Sequence, residues 1–257
     1  MKILYFTGTG NSLAVAKRIG GEFISIPQEI HKKEITYADD AIGLVFPVYY
    51  GSLPKMVKDF LSIVKFETDY LFAIATCGSG AGMALSDLQE VTEGNGIRFD
   101  YLNALVMVDN FLPVFEIEAE IKRLPEKKTE ENLSKIVTDI EKRKEYVPPV
   151  SLKAKAMAPL AKKMLQDKVK EYSSQGFIVY DDCTLCGICA TVCPTANIST
   201  SEKVVFSDKC ESCYACVHAC PQTAIHLKKE KSDKRFRNPD VSLQEIITAN
   251  NQLKYKQ

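Results

Sequence analysis

Eight of the chain's nine cysteines lie between Cys183 and Cys220, in two copies of one pattern. Each copy reads C-x2-C-x2-C-x3-C-P: Cys183, Cys186, Cys189 and Cys193 before Pro194, then Cys210, Cys213, Cys216 and Cys220 before Pro221. The copies start 27 residues apart, and their flanks also agree, FIVYDD before the first and VVFSDK before the second. No other feature restricts the fold so tightly. Three thiols within seven residues can converge on one compact, electron-rich centre, which soft iron–sulfur clusters require. Zinc wants two separated pairs around a tetrahedral ion, a spacing this run does not supply. Disulfides are the other use of crowded cysteines, and the cytoplasm, where this chain is expected to reside, keeps thiols reduced.

Residues 177–227 resemble the bacterial two-cluster ferredoxin domain over its whole length. That resemblance implies two [4Fe–4S] clusters and one-electron transfer at low potential. In such domains the fourth cysteine of each run serves the other cluster. One cluster is then expected on Cys183, Cys186, Cys189 and Cys220, and the other on Cys210, Cys213, Cys216 and Cys193. His218 lies inside the second run and is expected to be a surface residue, since the ligand count is complete without it.

The first hundred residues follow a different rule. Apolar runs suited to buried strands occur at 2–6, 22–26, 41–48, 70–76 and 101–108, with helical patterns between them at 12–19, 54–64 and 83–93. This alternation predicts a doubly wound α/β fold on a five-stranded parallel sheet. Ligands of such sheets bind at the carboxyl ends of the strands, which directs attention to the loops after strands one, three and four. The first of these is Thr7-Gly8-Thr9-Gly10-Asn11-Ser12. It is not a P-loop, because no Gly-Lys-Ser/Thr follows, and it is not a dinucleotide fingerprint, because Leu13 stands where the third glycine belongs. What remains is [ST]-x-T-G-x-[ST], suited to a lone monophosphate. Hydroxyls of Thr7, Thr9 and Ser12 and the N–H groups opening a helix would donate to it, while Gly8 and Gly10 let the backbone close around it.

This loop, in this position, resembles the FMN phosphate loop of flavodoxins. The family clamps the flavin ring between the third and fourth loops, here Pro47, Val48, Tyr49, Tyr50 and Gly51, then Cys77, Gly78, Ser79 and Gly80. The resemblance implies FMN, with Tyr49 or Tyr50 against the ring. Cys77 is expected to be a small buried residue at the strand end. Two departures stand out: the chain has no tryptophan, and the fourth loop lacks the acidic and tyrosine residues usual in bacterial flavodoxins.

Charge divides the chain further. Residues 1–146 hold 17 Lys+Arg against 22 Asp+Glu, 147–175 hold 6 against 2, 176–227 hold 2 against 5, and 228–257 hold 8 against 4. With no strongly basic block of domain size, nucleic acid is not expected as a partner. No run is long and apolar enough to span a bilayer. The reading is a flavodoxin-like FMN domain over 1–146, a basic helical linker over 147–175, a small α+β two-cluster ferredoxin domain over 176–230, and a basic tail with a short helix over 231–257. Within 129–146, Leu133, Ile136, Val137 and Ile140 form an apolar stripe expected to close the sheet. Taken whole, the order resembles flavodoxin–ferredoxin fusion proteins of anaerobic bacteria and archaea. The expected function is electron transfer between FMN and the clusters, serving redox partner proteins. The alternatives are an FMN-dependent reductase fed by its ferredoxin domain, and an iron–sulfur redox sensor without flavin.

Overall fold

The computed structural model describes residues 1–149 and 172–255. Most of the expected basic linker, 150–171, lies outside the described residues.

Strands β1 (Lys2–Tyr5), β2 (Glu22–Ser25), β4 (Ile42–Pro47), β6 (Leu71–Cys77) and β7 (Tyr101–Val106) form one parallel sheet in the order β2-β1-β4-β6-β7. Counting only these five in chain order, the arrangement is 2-1-3-4-5, the flavodoxin-like doubly wound order. The expected five-stranded parallel sheet is therefore present. Two further strands, β3 (Ile35–Ala38) and β5 (Val64–Glu67), pair in parallel as a separate small sheet. They interrupt the expected elements: the helix foreseen over 54–64 ends at Leu61 and the chain re-enters a strand at Val64.

Alternation along β1 sorts its side chains onto two cores. Leu4 and Phe6 join Leu44, Phe46, Val57, Phe60 and Leu88 beneath α3 (Lys55–Leu61) and α4 (Ala84–Glu93). Ile3 and Tyr5 face α1 (Asn11–Ile19) and α7 (Thr129–Glu141), whose Leu133, Ile136 and Ile140 are buried there. The closing helix thus packs as its apolar stripe implies. This second core continues into the cysteine-rich part through Val192, Val217, Ile225 and Phe236, and on to Val241 and Ile246 near the carboxyl end.

The cysteine-rich part is a pair of two-stranded antiparallel sheets, β8 (Phe177–Val179) with β11 (Ile225–Leu227) and β9 (Ile198–Ser199) with β10 (Val205–Phe206). Two short helices, α8 (Ile188–Thr191) and α9 (Ala215–Ala219), follow the first cysteines of each run. The sequence repeat is also a backbone repeat. Left-handed residues occur at Leu185 and Ser212, Gly187 and Tyr214, and Ala196 and Thr223, in each case one repeat apart. Such turns cost free energy in non-glycine residues, so their recurrence marks a conformation that the site requires.

The tail does not hang free. After Leu227 the chain crosses to the parallel-sheet part, where α10 (Leu243–Asn250) carries a full capping box between Ser242 and Glu245. Among the described residues no helix is long and apolar enough to cross a membrane.

Candidate functional site

The carboxyl ends of the sheet strands open into a cleft of about 450 Å³, within the usual range for a small-molecule site. It is lined by Thr7, Gly8, Thr9, Asn11 and Ser12 of the first loop, by 47–51 of the third and by 77–80 of the fourth. All the expected loop residues meet there except Gly10. That glycine faces away, towards Val241 and Asn238: a Cβ on it would lie 3.0 Å from the Val241 Cβ and 3.1 Å from that of Asn238. Its φ of 100° supplies the left-handed step into α1, so its role is conformational.

The first loop fits a phosphate. Thr7, Thr9 and Ser12 are all buried. The Thr7 hydroxyl accepts from the Gly10 N–H at 3.0 Å, and the Thr9 hydroxyl accepts from the Asn110 side chain. A hydroxyl that accepts keeps its own hydrogen, so both threonines retain a donor for an anion. Ser12 Oγ lies 2.8 Å from Thr76 Oγ1, either of which could donate. The opening N–H groups of α1 have no acceptor within the helix, and its dipole favours negative charge at that end.

The third loop is held by aromatic contacts. The Tyr49 ring meets Phe6 edge-on at 6.0 Å, with its hydroxyl near Gly8. Tyr50, at φ 52°, packs edge-on against Phe111 and exchanges a 2.9 Å hydrogen bond with the Tyr214 hydroxyl. The fourth loop is held from behind by a buried cation. Lys127 Nζ donates to Gly78 O at 2.8 Å and Met107 O at 2.7 Å, and forms an ion pair with Glu120. Cys77 is buried, its thiol facing Leu105 O at 3.5 Å, and burial pushes that thiol up to about 11. Asp109 presses against Gly78, where an added Cβ would meet its carboxylate at 1.9 Å. Burial raises the Asp109 carboxyl, assisted by Glu120, against the pull of the Phe111 N–H and Lys127.

Sequence reasoning missed two walls of this cleft. One is Val108, Asp109, Asn110 and Phe111, the loop after the last sheet strand. The general rule for ligand placement in such sheets could have flagged it. The other is Ser212, Cys213 and Tyr214, from inside the second cysteine run. Here the cysteine-rich part forms a side of the cleft directly. Tyr214 stacks on Phe111 at 5.8 Å, and Phe111 also meets Tyr172 edge-on. Glu211, on the same loop, faces the Lys55 and Met56 N–H groups at the start of α3; burial pushes its carboxyl up to about 7. The Ser212 hydroxyl is buried beside the Tyr50 hydroxyl, which bonds that of Tyr214.

The eight cysteines fall into two groups. Cys183, Cys186, Cys189 and Cys220 line one small cavity, and Cys193, Cys210, Cys213 and Cys216 line another. Each cavity therefore takes three cysteines from one run and its fourth from the other. Among the described residues no group of three or more Cys, His, Asp or Glu side chains is placed to hold a single metal ion. N–H groups already point at the sulfurs: Asn197 N to Cys193 Sγ at 3.2 Å, Ala224 N to Cys220 Sγ at 3.3 Å and Ser212 N to Cys210 Sγ at 3.3 Å. Hydrogen bonds of this kind stabilise thiolates and tune cluster potentials. His218 corrects the expectation of a surface residue. It is buried, its Nδ1 accepts the Phe236 N–H at 3.1 Å, and Nε2 lies 2.9 Å from Asn110 O. Those partners set the Nε2–H tautomer, and burial lowers the ring's pKa to about 4. It joins the second cysteine run to the cleft wall and to the tail.

The tail completes the first loop from outside. Asn238 donates its N–H to Thr9 O at 2.9 Å and its side-chain amide to Asn11 Oδ1 at 3.0 Å. Asn250, fully buried, donates to Thr7 O at 2.9 Å. Ser25 and Gln28 donate to Ala249 O, and Gln252 donates to Pro27 O, fixing the end of the tail beside β2.

Residues 176–221 match a protein-family model described as the 4Fe-4S dicluster domain. No curated protein matches the chain. Among solved structures, one from Bacteroides uniformis ATCC 8492, described as a candidate flavoprotein, is 18% identical with a TM-score of 0.33, covering 48% of this chain and 96% of its own. The fold assignment rests on the strand order, not on this likeness. A flavodoxin-like sheet and an iron–sulfur segment thus stand on one chain, an arrangement of redox proteins.

Proposed function

We propose that the protein transfers electrons between FMN, held in the cleft, and two [4Fe–4S] clusters on the crossed cysteine sets. One observation carries this reading: Cys213, a ligand of the second set, is also part of the cleft wall. Flavin exchanges one or two electrons and each cluster one, so together they would connect a two-electron reaction to one-electron partners. The chain's own residues bind and position. Thr7, Thr9 and Ser12 take the phosphate, and Pro47 to Gly51 with Cys77 to Gly80 enclose the ring. Burial favours the protonated thiol at Cys189, Cys193, Cys213 and Cys216, a cost that positive iron offsets. The tail and Asn110 hold the loop closed.

Anaerobic purification with iron, sulfide and flavin analysis tests this. The proposal expects about eight iron and eight acid-labile sulfide per chain, as two four-iron clusters require, and FMN bound more tightly than riboflavin. Equal affinity for the two flavins would remove the phosphate-loop reading, and about four iron would remove one cluster.

A further inference from the structure

The two cysteine sets differ in their surroundings. In the set of Cys193, Cys210, Cys213 and Cys216, two members are buried and Cys213 belongs to the cleft wall. In the other set, Cys186 is exposed, and none of Cys183, Cys186, Cys189 or Cys220 lines the cleft. Around Cys186 the chain is exposed from Tyr180 through Cys186, apart from half-buried Cys183. Two large side chains stand out there, Tyr180 at 51% and Leu185 at 38% exposure.

The charge on this face is one-sided. Asp181 and Asp182 are both exposed, and no ion pair among the described residues involves either. Across the cavity mouth, Thr200 and Val204 flank a turn carrying exposed Glu202 and Lys203. Among the described residues of this face, three acids therefore stand against one lysine beside the exposed sulfur.

We infer that this face, centred on Leu185 and Cys186 and flanked by Asp181 and Asp182, docks a small basic redox protein whose cofactor edge is ringed by lysines. The inference rests on the proposed electron-transfer role and adds where, and to what kind of surface, the partner binds. Transient redox complexes use small interfaces, below about 1,200 Å², so one exposed loop with two apolar side chains is enough. Opposite charge steers the encounter and excludes acidic partners.

Cytochrome c, with lysines around its haem edge, is a suitable probe. Its binding to the iron-replete full chain is measured by calorimetry at low and physiological ionic strength. The double variant Asp181→Asn/Asp182→Asn should raise Kd at least tenfold at low salt and flatten the salt dependence. The control Glu67→Gln/Asp69→Gln, exposed acids before β6, should stay within twofold of the native protein. Iron analysis of each variant shows whether the clusters survive. Hydrogen exchange on the unmodified protein gives a second reading, with protection expected at 180–187 on adding cytochrome c and none at 64–70. Equal weakening by both double variants, absence of binding to the native chain, or protection elsewhere would overturn the inference. Heat of binding requires neither flavin nor electron transfer, so failure of the flavin reading would show separately as a chain without FMN.

Discussion

Gly8 of the first loop and Cys213 of the second cysteine run are in contact: a Cβ built on Gly8 would lie 2.8 Å from the Cys213 carbonyl oxygen and 3.3 Å from its Cβ. A backbone atom cannot swing aside as a side-chain end can, so Gly8→Ala must separate the two parts of the chain. Overpacking of this kind costs about 1–3 kcal/mol. Thermal unfolding should record that loss, and electron exchange between clusters and flavin should slow while the iron content stays unchanged.

The tail's attachment is made by amides and apolar contact more than by charge. Lys17 does pair with Glu245 at 3.0 Å, but both side chains are more than a third exposed, and such pairs contribute only about 0–1 kcal/mol. Asn250 is different. Asn250→Ala would leave the buried Thr7 carbonyl unpaired, at a cost of about 1–3 kcal/mol. Chains ending at Leu227 should lose their preference for FMN over riboflavin, and the native preference should change little between low and high salt. A strong salt dependence would mean that ion pairs such as Lys17–Glu245 hold the tail instead.

Cys220→Ala should disturb the cluster held by Cys183, Cys186 and Cys189, although it lies in the other run. Electron paramagnetic resonance of the reduced variant separates the outcomes, because damage confined to the Cys210, Cys213 and Cys216 cluster would refute the crossed assignment.

These tests bear on features of unequal visibility in the sequence. The sheet was legible because both-face burial writes near-continuous apolar runs such as 42–46 and 71–75. The cysteine sets were legible because their spacing is rigid. The strands at Ile35–Ala38 and Val64–Glu67 were not: each is four residues long, and Val64 directly continues the apolar rhythm of α3. Ser212 and Tyr214 were hidden for another reason. Their role depends on how the two parts pack, and no periodicity within either part encodes that. His218 looked peripheral for the same cause, since its partners Asn110 and Phe236 are remote in sequence.

Asp109 gives a pH dependence. Burial raises its carboxyl above the unfolded value of about 3.9, so the folded state binds more protons in the window between the two. Stability is therefore lost as pH rises through that window. Asp109→Asn can still accept from the Phe111 N–H, and it removes the ionisation. Urea midpoints measured from about pH 4 upward should show the variant gaining on the native protein as pH rises through that window, then holding a constant margin. Parallel profiles would mean that Asp109 ionises freely.

The central claim is that flavin and clusters exchange electrons within one chain, through the wall that Cys213 shares with the cleft. Rapid reduction of the clusters by a flash-generated donor, followed by flavin absorbance, measures it directly. The account predicts flavin reduction at a first-order rate that does not change over a tenfold range of protein concentration, and its loss in Cys183→Ser/Cys210→Ser with FMN still bound. A rate proportional to protein concentration would contradict it.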